Sequence, residues 1–179
     1  MTENMGLRRR DLAIAASGLS LAAMAGATAA QAGGRDAPRR RIPADDRLDM
    51  IELMGRYAWA YDTMNAEALA ATFTTDGVLE VFGRPLVTDR SGFAGFLATA
   101  AEMRKDRGWQ HLTDHHIFAD YDGTRCTVYS YYVMPEADPS GGDVDLRAIG
   151  YYISHCVRQG DGWLFARRQV LRWDGKQPF

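Results

Sequence analysis

The sequence predicts an α+β domain, because its hydrophobic periodicity changes once along the chain. Between about residues 45 and 101, apolar residues recur mainly at helical spacing. After Gly108 they alternate with a period of two and are rich in Tyr, Val, Ile, Phe and Trp, which is typical of strands. With 179 residues, the chain is long enough for one domain with a sizeable core but hardly for two.

Two helices are predicted at the start of the domain, each with a candidate capping residue. Asp45 or Asp46 can cap the first helix. Asn65 is expected to cap the second helix, over residues 66–73. The predicted buried stripe of the first helix consists of Met50, Met54, Tyr57, Ala58 and Tyr61.

A short strand separates these helices from a third one. Residues 74–77 are predicted to form a turn and residues 78–82 a strand. Ser91 is expected to start the third helix. Its buried stripe is predicted to contain Phe93, Phe96, Leu97, Ala100 and Ala101.

Four longer strands follow, around residues 109–120, 125–135, 146–158 and 163–173. The dipeptides at 122–123 and 161–162 are Asp-Gly, a strong hairpin signal, whereas 139–143 forms a longer connection. A curved antiparallel sheet wrapped around the packed helices would form a cone with a pocket inside. Cys126 and Cys156 both fall within strands, and a disulfide between them is left open because it needs specific geometry.

The N-terminal segment has the layout of an export signal. Residues 1–32 combine Arg8-Arg9-Arg10, an alanine-rich apolar run and a small-residue cleavage pattern, which predicts a cleaved twin-arginine signal peptide. A transmembrane anchor is the weaker alternative, because Gly, Ser and Thr dilute the run. Residues 33–43 form a basic linker, and 44–179 the domain. We therefore expect a periplasmic or secreted protein without stable membrane insertion after cleavage.

Tyr61, Asp62 and His111 are the candidate catalytic residues. A carboxylate can hold one ring nitrogen of a histidine and leave the other free to move a proton. Taken alone, Asp62 at a helix end is more simply a capping residue, and a lone strand histidine is more often a hydrogen-bonded core or surface residue.

Three segments decide between these alternatives: GRYAWAYDTMN at 55–65, WQHLT at 109–113 and DGWLF at 161–165. In this order the chain resembles the SnoaL-like and scytalone dehydratase-like branch of the NTF2-like superfamily, over about residues 46–173. The resemblance implies a cone-shaped fold. It also implies that His111 is the general base, that Asp62 supports it and that Tyr61 points into the pocket.

The resemblance also suggests which residues bind substrate. On the strand at 125–135 it selects the face of Ser130, Tyr132 and Met134. Tyr57 is a further candidate on the first helix. On the last strand the predicted lining residues are Gln169 and Leu171, which share a face with Arg167 and Trp173.

The chain departs from scytalone dehydratase at several pocket positions. Glu136 stands where that enzyme has a second histidine, and Val81 where it has a second tyrosine. Scytalone is therefore not the expected substrate.

No metal or cofactor is expected. His111, His115 and His116 look like a metal motif, but strand residues four apart lie about 13 Å from each other and neighbours point to opposite faces. The sequence has no GxSxG, GxGxxG, CxxC or phosphate-binding motif. A net charge of −2 gives no reason to expect a nucleic-acid partner.

Together these features predict an exported, cofactor-independent lyase or dehydratase for a small hydrophobic or aromatic substrate. Isomerisation or a deformylating reaction on the same Asp-His pair is an alternative, as is a non-catalytic ligand-binding module. Exposed aromatics such as Tyr129 and Tyr131 would suit a homo-oligomer formed through the sheet face.

Overall fold

The computed structural model describes residues 41–138 and 140–179. The predicted signal peptide and all but the last three residues of the predicted linker lie outside the described residues. The helices are α1 (Ala44–Asp62), α2 (Ala66–Ala71) and α3 (Phe93–Arg104). The strands are β1 (Phe73–Val81), β2 (Arg84–Val87), β3 (Gly108–Trp109), β4 (Leu112–Ala119), β5 (Arg125–Ala137), β6 (Val144–Gln159) and β7 (Gly162–Arg172).

These strands form one sheet in the order β2-β1-β7-β6-β5-β3, with β4 also paired to β5. The sheet is strongly curved, as predicted for an α+β cone, and N-terminal helices pack against it. Irregularities in register interrupt the β1–β7, β4–β5, β5–β6 and β6–β7 ladders, and such bulges bend and twist strands. One pair differs from the antiparallel expectation, since β1 and β7 run parallel.

Helix α1 buries the predicted stripe against the sheet: Met50, Met54, Tyr57, Ala58 and Tyr61 are all buried. The predicted cap was wrong. Pro43 occupies the N-cap position, and no side chain caps the helix. Asp46 is instead buried and accepts hydrogen bonds from Tyr121, Arg158 and Trp163. These three partners offset the free-energy cost of desolvating its carboxylate.

The boundaries between α2 and β2 also differ from the sequence prediction. Asn65 caps α2 as expected, accepting a 2.9 Å hydrogen bond from the Ala68 N–H. The helix ends at Ala71, two residues earlier than predicted. Phe73 is fully buried as the first residue of β1. Residues 74–77 belong to β1 as an irregular stretch rather than to a turn, and strand β2 was not predicted.

The third helix and the strand after it were predicted nearly correctly. Phe93, Leu97 and Ala100 are buried in α3, whereas Ala101 is exposed. The predicted strand at 109–120 is divided into β3 and β4, and Gln110 and His111 lie between them.

Arg168 on β7 is completely buried, and no carboxylate lies within ion-pair distance of it among the described residues. Its guanidinium lies over the rings of Tyr57 and Tyr152, at 4.2 and 3.8 Å from their centroids. One nitrogen donates to the Ser154 hydroxyl at 2.9 Å. Aromatic faces and one hydroxyl therefore stabilise this charge in place of an acidic partner.

Cys126 and Cys156 face each other directly on β5 and β6 as free, buried thiols. Burial raises the pKa of Cys126 to about 11 and that of Cys156 to about 12, so both are protonated at neutral pH. Within residues 41–138 and 140–179, no helix is both long and apolar enough to cross a bilayer.

Candidate active site

Asp62 and His111 form a close pair where α1 ends and the chain passes from β3 to β4. The Asp62 Oδ1 atom lies 2.6 Å from the His111 Nδ1 atom. The other oxygen, Oδ2, accepts the backbone N–H of His111 at 2.8 Å. The His111 side chain is 7% exposed and that of Asp62 16% exposed. One carboxylate therefore fixes both the ring and the backbone of this histidine.

Arg104 holds the end of α1 in place. The last carbonyl groups of a helix have no partners inside the helix. The buried Arg104 side chain, from the last turn of α3, donates to the carbonyl oxygens of Asp62 and Tyr61 at 2.7 and 2.9 Å. Its positive charge also offsets the unfavourable position of the Asp62 carboxylate at a helix C-terminus.

We expect Arg104→Met to destabilise the protein by about 1.5–3 kcal/mol, because two charge-assisted hydrogen bonds to the end of α1 are lost. The measurement is equilibrium unfolding in denaturant. Arg56→Met is the matched control. Arg56 makes an exposed pair with Glu52 at 3.8 Å, so this substitution should change stability by about 0.5 kcal/mol or less. Equal effects of the two substitutions would contradict the role of Arg104.

Tyr61 packs against the histidine. The two ring centroids are 4.7 Å apart in an edge-to-face arrangement. Burial raises the pKa of the Tyr61 phenol, and the nearby Arg104 charge opposes this only in part. The hydroxyl is therefore neutral at physiological pH and available as a hydrogen-bond donor.

A cavity of about 370 Å³ lies between the helices and the concave side of the sheet, within the roughly 300–1,000 Å³ range of small-molecule sites. His111 lines it. Its buried wall is aromatic and consists of Tyr57, Tyr61, Trp109, Tyr132 and Tyr152. Apolar side chains such as Met134 and Val170 complete much of the lining. The cavity thus combines a histidine, neutral phenols and an apolar surface.

The structure brings together many of the residues predicted to form the site. Tyr57, Tyr132 and Met134 line the same cavity as Tyr61 and His111, while Asp62 lies behind His111.

Ser130 does not line the cavity. Its hydroxyl lies 2.8 Å from the Nδ1 atom of His116 on β4, and the residue is buried.

On β7 the predicted face was wrong. Val170 and Arg172 line the cavity, whereas Gln169 donates to Glu80 on β1 at 3.1 Å and Leu171 is not a lining residue. The reason is a bulge: Phe165 pairs with Cys156 and Arg167 with His155, which leaves Ala166 unpaired. One extra residue exchanges the two faces of the strand beyond it.

The lining residues missed by the sequence prediction include Trp109, Arg147, Tyr152 and Arg172. Trp109 lies two residues before His111 and could have been found there. Arg147 lies at a second bulge, since Met134 pairs with Ala148 and Pro135 with Leu146. The alternation of apolar and polar residues along a strand does not predict which way the extra residue of a bulge points.

His111 also lines a more open groove of about 660 Å³ on the other side of the site, between α1 and β4. Exposed side chains such as Trp59 and Tyr131 contribute to it, together with His115 and His116. Residues 41–138 and 140–179 contain no group of three or more His, Cys, Asp or Glu side chains placed to hold a metal ion.

The fold and the cavity place this protein among the NTF2-like α+β cones. More specifically, the chain belongs to the SnoaL-like domain family, whose model matches residues 43–169. No curated protein matches the sequence significantly.

Solved structures with the same fold are known from several bacteria. An NTF2-like protein with a cystatin-like fold from Novosphingobium aromaticivorans is 24% identical, with a TM-score of 0.65 over 74% of this chain and 84% of that one. ActVI-ORFA from Streptomyces coelicolor is 20% identical, with a TM-score of 0.66 over 76% of this chain and 100% of that one. A Mycobacterium tuberculosis protein of unknown function is 24% identical, with a TM-score of 0.63 over 74% and 76%. At these identities the likeness concerns the fold.

Proposed function

We propose that this protein is an exported, cofactor-independent lyase or dehydratase that removes a proton from a small hydrophobic or aromatic substrate. The observation that supports this most is the 2.6 Å contact between Asp62 and His111 at the edge of an aromatic cavity. A carboxylate–histidine pair beside a largely aromatic cavity is a suitable arrangement for general-base catalysis.

In the proposed reaction, Asp62 holds the proton of His111 on Nδ1, which leaves the Nε2 lone pair free to accept a proton from a substrate carbon. The carboxylate then stabilises the imidazolium that forms. The neutral Tyr61 hydroxyl donates a hydrogen bond to the carbonyl or leaving oxygen where negative charge develops. Departure of the leaving oxygen forms the double bond, and the imidazolium gives its proton to that oxygen or to solvent, which completes an elimination. Isomerisation would share the first step. Loss of formaldehyde would instead begin at a hydroxymethyl O–H, whose proton His111 would accept as the adjacent C–C bond breaks.

The wider proposal concerns location and assembly. The basic, alanine-rich N-terminus supports export to the periplasm or beyond. Exposed apolar side chains on β5, on β6 and just after β7, among them Tyr131, Val133, Ile149 and Trp173, would suit a homo-oligomer formed through the outer face of the sheet. The net charge of −2 favours a small-molecule partner over nucleic acid.

The test is Asp62→Asn, assayed against a panel of hydrophobic and aromatic carbonyl compounds with a β leaving group. An amide at this position can donate to Nδ1 and select the wrong histidine tautomer, so we expect kcat to fall by about 10²–10⁴-fold. Asp114→Asn is the matched control, because Asp114 makes an exposed contact with His115 at 3.7 Å. Wild-type turnover in Asp62→Asn would refute the mechanism, and a panel that binds without reacting would favour a ligand-binding module.

A further inference from the structure

The charged side chains that line the cavity are all basic. Besides the His111 imidazole, the basic side chains among its lining residues are Arg147 and Arg172, and the lining contains no aspartate or glutamate in the described part of the chain. The tyrosines add no negative charge, since burial raises the pKa of Tyr57, Tyr61, Tyr132 and Tyr152. A cavity of this kind disfavours cations and accepts an anion.

The two arginines differ in whether their charge is already neutralised. Arg147 lies 3.3 Å from the Glu136 carboxylate. Arg107 also contacts Glu136 but has a second partner in Asp145 at 3.0 Å, so this cluster of two arginines and two carboxylates is neutral. Arg172 has no carboxylate within ion-pair distance in the described part of the chain. Arg172 therefore holds the uncompensated positive charge of the cavity.

Arg172 also lies at the solvent-exposed end of the cavity. It is exposed, and its guanidinium lies over the ring of Phe82 at 4.2 Å from the centroid. Phe82 is 46% exposed, whereas Tyr152 at the inner wall is 1% exposed. A guanidinium stacked on an aromatic face keeps the N–H groups of its edge free, and that edge matches a planar carboxylate in a bidentate arrangement.

We infer that the cavity takes a hydrophobic carboxylate, with its apolar body among the tyrosines near His111 and its carboxylate on Arg172 at the mouth. The inference shares with the proposed function only the choice of this cavity as the substrate site. It narrows the substrate class from small hydrophobic compounds to hydrophobic acids. It also assigns Arg172 as the residue that determines specificity for charge.

The experiment compares two probes of the same shape, 2-naphthoate and 2-naphthylmethanol, by isothermal titration calorimetry. We expect the wild-type protein to bind the carboxylate at least tenfold more tightly than the alcohol, with a preference that weakens as salt increases. Arg172→Met should remove this preference and leave the affinity for the alcohol within about threefold, because the charge is lost while the aliphatic stem is retained. Arg172→Lys should retain part of the preference, because the charge remains but the planar fork is lost.

Two further variants make the comparison specific. Arg147→Met should reduce the preference less than Arg172→Met, since Arg147 is already paired with Glu136. Arg56→Met, on the outer surface of α1, should have no effect. Equal affinity for the two probes, no binding of 2-naphthoate at millimolar concentration, or an unchanged preference in Arg172→Met would each overturn the inference.

Failure of this inference can be separated from failure of the proposed function. His111→Ala should keep the preference for 2-naphthoate, because the measurement depends on binding and not on proton transfer. If the His111→Ala variant prefers 2-naphthoate and remains active, the inferred substrate class would be supported and the proposed mechanism would be refuted.

Discussion

Replacing His111 with alanine is expected to lower kcat by about 10²–10⁴-fold, which is the usual contribution of a positioned general base. The loss should appear in kcat rather than in ligand affinity, because the imidazole accepts its proton in the transition state. The fold should persist, since the backbone N–H of residue 111 still donates to the Asp62 carboxylate. Losing the side-chain hydrogen bond to the Asp62 carboxylate should reduce stability by about 1.5–3 kcal/mol.

The measurement is turnover of whichever panel compound the wild-type protein converts, together with denaturant unfolding of each variant. His115→Ala is the matched control, because His115 is an exposed histidine four residues along the chain. It should leave kcat within about twofold of wild type, well below the 10²-fold effect of a lost base. If the His111 and His115 variants have the same activity, His111 is not the base.

Gly150→Ala is expected to have the largest effect on stability, about 3 kcal/mol. A Cβ at this position would lie 2.0 Å from the Leu171 carbonyl oxygen and 2.6 Å from the nearest ring atoms of Tyr132. The carbonyl is fixed in the β6–β7 pairing, so the strands would have to separate. Tyr132 would also be pushed from its position opposite Gly150, which should distort the cavity wall and weaken the binding of 2-naphthoate.

Denaturant unfolding measures this effect, and Gly95→Ala provides a control with the opposite sign. Gly95 lies in α3, and a Cβ there meets nothing within 4 Å. Alanine should therefore stabilise the protein by about 0.5–1 kcal/mol through its helix propensity. Equal stability of the Gly150→Ala and Gly95→Ala variants would contradict the prediction that close packing at residue 150 excludes a Cβ atom.

The sequence predicted most of the architecture, because the elements with strong periodicity keep it in the structure. The stripe of α1 and the long strands β5, β6 and β7 follow directly from spacing. The parallel pairing of β1 with β7 could not be obtained in this way, because it joins segments more than 80 residues apart and has no local pattern. The short strand β2 contains Pro85 and mostly exposed residues, so it too has no clear strand signal.

The site was predictable where it depended on a local motif and unpredictable where it depended on register. Asp62 and His111 were selected from short motifs that resemble a known family, and the structure places them 2.6 Å apart. The lining of β7 was assigned to the wrong face because the bulge at Ala166 exchanges inward and outward residues. Arg104 was not predicted, because its contact with the end of α1 joins residues more than 40 positions apart and cannot be inferred from hydrophobic spacing.

The most direct test of proton abstraction by His111 is the exchange of substrate carbon-bound hydrogen in D₂O, followed by proton NMR on a panel of hydrophobic carboxylates and ketones that bind the cavity. This assay detects removal of a proton even when no leaving group departs. We predict that the wild-type protein accelerates deuterium incorporation, or elimination, for at least one ligand, and that His111→Ala and Asp62→Asn abolish the acceleration. Ligands that bind tightly and show neither exchange nor elimination, or that exchange equally fast in His111→Ala, would contradict this account.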